Sequence, residues 1–537
     1  MSRLWIDRLR AGGEALALVD CARFEASEDA MVSDVRTAAP WLITYRALAD
    51  RVEAFMASIS RCGLGPGPEP EPEPGTGRGA GSEPGPGHRE DEARMACVAD
   101  AASDAIGFVL ACLSSDVGCL LLHPRASAAE RAHALSVARA GWVFEANHLG
   151  RVASPEDECS SRDPNPVPRH AHIVVMTSGT TGHSKAAVLT ESALLASARA
   201  SERNLGWKAD DRWLLSMPLA HVGGLSIVLR SVLAGRTIVL PSRPAPFVAA
   251  DTLRIVREER VTLLSVVPTM LKRLLDAEPS AMAPSSLRAV LVGGAPASTA
   301  LMQCASERRW PVLATYGLTE GASSVTVQPY GTMWSEDAGS GVPLSDVEVS
   351  VRDGRIFIRG PTLFSGYLGC PPPFDAEGWF DTADLGRLGP GGVLHVLGRR
   401  IDLIISGGEN VYPREVEAVL ESTAVVEAAV VFGVPDPEWG EVVAAAILLA
   451  RDADLTRDAD LTRNVDLTRS VEAGQAGVSP REAVDLAMRA NLAPFKRPKL
   501  WAVCREFPWT AGGQKIDRDG VRSRALGVLQ CGPLPLL

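Results

Sequence analysis

Between residues 171 and 292 the chain alternates short apolar runs with segments of helical periodicity, and this constrains its fold more than any other feature. Ala171–Met176, Arg212–Ser216, Thr237–Leu240, Leu263–Val267 and Ala289–Val292 read as short buried strands. Glu191–Asn204, Thr252–Glu259 and Pro268–Asp276 fill the gaps with helix-like patterns. Strands separated by helices imply α/β layers built on mostly parallel sheets. From Gly354 the texture changes to short glycine-punctuated strands (GRIFIRG, GVLHVLGR), which suit a small antiparallel part. After Arg399 a second α/β pattern begins: helix Pro413–Leu420, strands Ala428–Val434 and Glu441–Leu449, helix Pro480–Asn491. The expected architecture is α/β. A large N-terminal α/β domain of several subdomains, with mixed sheets and a small β-rich part, spans 1–398. A hinge at 399–402 leads to a small mobile α+β C-terminal domain over 403–537.

Two stretches stand outside this pattern. Residues 65–92 are almost free of apolar side chains, so nothing there offsets the entropy of ordering the backbone, and a disordered loop is expected. Residues 451–470 contain a six-residue repeat, RDADLT RDADLT RNVDLT, with one leucine per repeat. That is too short a period for a solenoid and reads as an expanded surface loop. A net charge of −11 argues against nucleic acid as the main partner. The longest apolar run, Val442–Ala450, is far short of the about 20 residues of a membrane span, and the N-terminus has no signal-peptide pattern. The ten cysteines are scattered without metal-site spacing. A cytoplasmic protein without stable membrane insertion is expected, and the sequence leaves room for a homo-oligomer. Only six of the 54 basic residues are lysine, so each lysine position is informative.

The first of the informative segments follows the Ala171–Met176 strand: Thr177, Ser178, Gly179, Thr180, Thr181, Gly182, His183, Ser184, Lys185. Glycines let backbone N–H groups approach phosphate oxygens, hydroxyls donate further bonds, and a lysine supplies charge. It is not a Walker A loop, because Lys185 follows Ser184 rather than Gly and Ala186 stands where Ser or Thr would hold magnesium. The string resembles the phosphate loop of the adenylate-forming superfamily, which includes acyl-CoA synthetases, luciferases and peptide-synthetase adenylation domains. Other segments resemble that family's elements in order. Thr315-Tyr316-Gly317-Leu318-Thr319-Glu320 is similar to the element whose Tyr stacks on adenine and whose Thr and Glu hold phosphate and magnesium. Gly293-Gly294-Ala295-Pro296 is similar to the adenine-side loop. Gly378–Asp384 is similar to the segment whose final Asp binds the ribose, with Ala383 in place of the usual Gly. Gly398–Asn410 resembles the hinge, with Arg399 reaching the ribose and Gly407, Gly408 and Glu409 lining the pantetheine tunnel; Ile401 replaces the usual Asp or Lys.

The resemblance implies a reaction in two halves, with ATP, Mg2+ and CoA as cofactor and co-substrates. A carboxylic acid becomes an acyl-adenylate with loss of pyrophosphate, and a thiol then displaces AMP. The first half brings anions together, so positive charge must stand where negative charge accumulates. Lys185, Thr319 and magnesium on Glu320 meet the phosphates. Lys515 resembles the lysine that reaches over the reacting groups, although Pro508–Lys515 carries one residue more than the family pattern. The acid is addressed by Pro218–Arg230, a loop carrying His221 and Gly224 that runs into a helix apolar on nearly all sides. Such a helix is buried, and Arg230 within it needs a counter-charge, from a protein carboxylate or from the substrate. The segment resembles that of o-succinylbenzoate–CoA ligases of menaquinone synthesis, which place a basic residue nine positions after the same histidine. The aromatic carboxylate of 2-succinylbenzoate stays charged after the other is adenylated and would meet Arg230. A ligase for another carboxylic acid and a non-catalytic nucleotide-binding relative are the alternatives.

Overall fold

The computed structural model describes residues 3–20, 41–62, 64, 94–99, 103–126, 128–152, 172–177, 185–241, 247–399, 402–406, 409–436, 439–450, 480–492, 494–510 and 515–531. The expected loops at 65–92 and 451–470 lie outside them.

Two large sheets carry the first 340 or so residues. One has nine strands, in the order Val342–Pro343, Ser323–Val327, Val312–Leu318, Ala289–Val292, Leu263–Val266, Arg212–Leu214, Thr237–Leu240, Leu16–Asp20, Trp41–Thr44. Its middle is parallel, as strands joined by helical crossovers must be. The other has seven, in the order Gly366–Tyr367, Lys185–Thr190, His172–Thr177, Cys119–Leu122, Arg94–Val98, Ala140–Glu145, His148–Arg151. Helices Ser103–Ser114 and Val222–Ala234 lie in one apolar cluster with strands of both sheets. Both are apolar around most of their circumference, and every residue from Ala105 to Ser114 is buried, which is what a helix between two sheets requires.

The glycine-rich stretch forms a four-stranded antiparallel sheet, Glu348–Arg352, Arg355–Arg359, Phe380–Leu388, Leu394–Arg399. A last sheet, built around the long hairpin Val426–Asp436 and Gly440–Leu449, packs helices Pro413–Glu421 and Pro480–Asn491 over a core of its own. The α/β class with mixed sheets and a small β-rich part is therefore as expected. One element was not assigned from the sequence: Lys185 opens a strand, Lys185–Thr190, antiparallel to His172–Thr177. The phosphate loop consequently joins two strands and has no helix dipole at its end, unlike a P-loop.

The C-terminal core holds a buried charge network. Glu417, 1% exposed, pairs with Arg518 at 2.7 Å and Arg414 at 2.8 Å and accepts the Val431 N–H. Glu421 beside it accepts the Ala429 N–H at 3.1 Å. Burial, reinforced by the Glu417 charge, outweighs that bond and the nearby arginines and pushes the Glu421 carboxyl up to about 7. A carboxyl raised on folding contributes stability that is complete below its unfolded pKa near 4.5 and lost as pH rises through 7. Glu421→Gln should therefore flatten the fall in thermal midpoint between pH 4.5 and 8 and exceed wild type at pH 8, by on the order of 1–3 kcal/mol. Parallel pH profiles for the two proteins would show that Glu421 does not titrate this way.

Candidate active site

The two large sheets meet where Tyr367 of one bonds Glu320, just after a strand of the other. Thr177 ends the His172–Thr177 strand and pairs with Lys185 across the loop, its hydroxyl donating to the Lys185 carbonyl at 3.3 Å. Ser178, Gly179, Thr180, Thr181 and Gly182 lie outside the described residues. The Lys185 ammonium stands 5.1 Å over the Tyr367 ring, and the Tyr367 hydroxyl donates to Glu320 at 2.6 Å. Thr319 and Glu320 form a single helical turn, Thr319–Gly321, at the end of the Val312–Leu318 strand. Tyr367 thus ties Lys185 to the carboxylate of the Thr319–Gly321 turn, a tie that sequence spacing gives no hint of. One carboxylate beside a phosphate loop fits Mg2+, which takes one or two protein carboxylates and completes its shell with phosphate oxygens and water.

On the nucleotide side, Tyr316 and Gly317 close the same strand, and the buried Tyr316 hydroxyl donates to Asp384 at 2.7 Å. Asp384 lies opposite Arg399 in the register of strands Phe380–Leu388 and Leu394–Arg399. Ala383, where the resembled segment has Gly, adopts φ +58°, a left-handed conformation costly for any residue with a Cβ. Ala383→Gly should raise stability by about 0.5–1 kcal/mol in chemical denaturation, after the entropy cost of the glycine. A lower midpoint would show that the Ala383 methyl contributes packing worth more than the strain.

Gly294 and Ala295 follow the Ala289–Val292 strand, Gly294 with φ +75°. A side chain beginning at Gly294 would start 4.0 Å from the Lys515 Nζ, so the C-terminal lysine reaches the adenine-side loop. Residues 511–514, just before Lys515, lie outside the described residues. Trp509 and Ile516 form a β-bridge, and the Thr510 N–H donates to the Lys515 carbonyl at 2.9 Å, closing the loop just at the lysine. Arg273 lies 5.2 Å over the Trp509 ring and anchors that loop to the N-terminal part. Glu409 begins strand Glu409–Val411; Gly407 and Gly408, like the hinge position Ile401, lie outside the described residues.

On the acid side, His221 is the N-cap of helix Val222–Ala234, and its side chain makes no capping hydrogen bond. Gly224 is required inside the protein, since a Cβ there would lie 2.3 Å from the Pro218 carbonyl oxygen. The His221 ring retains solvent access yet sits in a crowded cleft. Desolvation first, then His123, Lys515 and Arg125, pushes its pKa down to about 4, so the imidazole is neutral at physiological pH. His123, which the sequence reading passed over, stands with its ring 5.3 Å from that of His221. Arg230 is 2% exposed, its guanidinium 5.8 Å from the Trp213 ring, and its Nε and Nη2 have no hydrogen-bond partner among the described residues. The protein carboxylate that could have neutralised it is absent among those residues. Burial lowers its pKa to about 10, leaving it charged at neutral pH.

The AMP-binding enzyme model matches residues 90–368, more than half of the chain, and the AMP-binding enzyme C-terminal domain model matches 415–514. The chain belongs to the AMP-binding enzyme family. Curated relatives of this AMP-binding enzyme include 2-succinylbenzoate–CoA ligases. That of Enterococcus faecalis is 36% identical over 355 residues, covering 64% of this chain and 67% of the relative. That of Bacillus pumilus is 38% identical over 370 residues, covering 63% and 74%. Among solved structures, the o-succinylbenzoate CoA synthetase of Bacillus subtilis with the acyl-adenylate intermediate OSB-AMP superposes with a TM-score of 0.73 at 28% identity, over 99% of each chain. The same enzyme with ATP and magnesium ion gives 0.72 at 27% identity, over 96% of this chain and 99% of the other.

Proposed function

We propose that the chain is an ATP-dependent 2-succinylbenzoate–CoA ligase of menaquinone biosynthesis, with its aliphatic carboxylate as the reacting group. That carboxylate attacks the α-phosphorus of ATP, the bond to pyrophosphate breaks, and the acyl-adenylate forms. The CoA sulfur then attacks the acyl carbon, loses its proton, and AMP leaves with the bonding oxygen. The relatives support this reading, and the buried Arg230 carries it to this acid. An unpaired cation inside an apolar helix costs several kcal/mol and persists where a ligand anion meets it. A fatty acid or benzoate has no second charge to offer.

The spacing is compatible with that role. Nine helical residues from His221 to Arg230 rise about 13–14 Å, and helical side chains lean back toward the N-terminus. A long guanidinium side chain so directed shortens the gap to a length that a two-carboxylate acid can bridge. Neutral His221 sits at the reacting end, where it can orient the carboxylate without competing with Lys515 for it. Lys185 and Thr319 serve the phosphates. Thr177, Ser178, Gly179, Thr180, Thr181 and Gly182 cradle them, and Mg2+ on Glu320 neutralises phosphate charge when bound. Tyr316, Gly317, Gly294, Ala295, Asp384 and Arg399 hold the nucleotide.

We assign residues 1–398 to the ATP and acid site, 399–402 to a hinge and 403–537 to a mobile C-terminal domain that presents Lys515 for the first half-reaction and Gly407, Gly408 and Glu409 for the second. No helix among the described residues is long and apolar enough to cross a membrane; dependence on ATP and CoA supports a cytoplasmic location. Incubation with 2-succinylbenzoate, ATP, Mg2+ and CoA should yield 2-succinylbenzoyl-CoA and AMP by mass spectrometry. Formation of ADP, or of no thioester, would defeat the proposal.

A further inference from the structure

His123 follows strand Cys119–Leu122, whose parallel register with His172–Thr177 pairs Leu121 with Val175. The last printed pair of that register lies two residues before His123 on one strand and two before Thr177 on the other. The ring is oriented by the chain itself: its Nδ1 accepts the Arg125 backbone N–H at 3.1 Å. With that lone pair engaged, the single proton of the neutral imidazole belongs on Nε2. The Nε2 atom is buried and has no hydrogen-bond partner among the described residues. Burial, then the Arg125 charge, lowers the His123 pKa against the opposing pull of Glu130, so the neutral form prevails at pH 7. A buried N–H without an acceptor is costly, and native structures keep few of them. This one stands beside His221, with ring centroids 5.3 Å apart and the planes inclined by 53°.

We infer that His123 is a specificity residue, whose Nε2–H donates a hydrogen bond to the ketone oxygen of bound 2-succinylbenzoate. The inference rests on the substrate reading above. Of the acid's three acceptor groups, the reacting carboxylate lies with Lys515 and His221, and the aromatic carboxylate lies with Arg230. The ketone stands between them, three bonds from the reacting carbon, and is neutral. A neutral imidazole adjacent to His221 matches it in place and in charge.

The test compares 2-succinylbenzoate with 2-(3-carboxypropyl)benzoate, in which the ketone is a methylene, by acid-dependent ATP–pyrophosphate exchange at saturating ATP. Wild type should favour the keto acid by about tenfold in kcat/KM, the worth of one buried hydrogen bond. His123→Leu should lower kcat/KM for the keto acid by a similar factor and leave the methylene acid and the KM for ATP unchanged. His123→Asn, which retains an N–H donor, should keep part of the preference. Equal losses on both acids, or a preference unchanged in the leucine variant, would overturn the assignment. The wild-type ratio needs no folded variant, and a value near one overturns it as well. If wild type activates neither acid, the substrate reading itself has failed, and that result is distinguishable from all of these.

Discussion

Lys515→Ala is expected to lower 2-succinylbenzoate-dependent ATP–pyrophosphate exchange by about 10²–10³-fold, the usual effect of removing a charge aimed at the developing transition state. Two anions approach in the first half-reaction, and Lys515 is the cation whose Nζ reaches the Gly294 loop, beside His221. The closed turn at Thr510 and Lys515 fixes the base of its side chain, so the loss is electrostatic rather than a loss of folding. Thioester formation from chemically prepared acyl-adenylate should be much less affected, because the anionic encounter has already taken place. Exchange near the wild-type rate would remove Lys515 from the mechanism and direct attention to Lys185.

The second large effect concerns Arg230. Arg230→Met, which keeps most of the volume, should raise the KM for 2-succinylbenzoate by about 10²–10³-fold, as removing one partner of a buried ion pair does. The KM for ATP should hardly move. The free protein supplies a further readout. Arg230 has Nε and Nη2 unpaired among the described residues, so the substitution removes a buried charge and should leave thermal stability equal or higher. Loss of stability together with equal effects on acid and ATP would mean that Arg230 serves the helix and not the substrate.

Much of the fold could be read from residue order, and what could not has identifiable physical causes. Strands Thr237–Leu240 and Ala289–Val292 and helix Pro480–Asn491 stand as their periodicity implied, because burial on both faces or on one stripe leaves a local signature. Lys185–Thr190 was not legible as a strand. Its apolar run, KAAVLT, is short and continuous, and only pairing with His172–Thr177 settles its conformation. The insertion before Lys515 is a departure from the resembled pattern, and a bridge between Trp509 and Ile516 flanks it. Ala383 was visible as an unusual residue, but its positive φ belongs to the backbone and not to the residue type. His123 and Tyr367 carry no local signal at all. Each matters through a partner on a distant segment, His221 and Glu320 respectively, and only the tertiary structure brings those pairs together.

The scarcity of lysine proves informative for the same reason. Lys272 pairs with Asp276, Lys496 with Glu415, and Lys499 sits 3.4 Å over the Trp439 ring, all contacts within the protein. Lys185 stands over the Tyr367 ring that bonds Glu320, and Lys515 reaches the Gly294 loop, in a protein whose net charge is −11. Local positive charge within an acidic molecule is what two anionic substrates need.

On the proposed function, this site activates an acid bearing a second carboxylate that is buried against Arg230. ATP–pyrophosphate exchange measured side by side with 2-succinylbenzoate, benzoate and octanoate tests it most directly. Exchange with 2-succinylbenzoate exceeding the other two by at least about 100-fold in kcat/KM is the expected result, matching the cost of leaving Arg230 without its anion. Comparable exchange with octanoate or benzoate would contradict it.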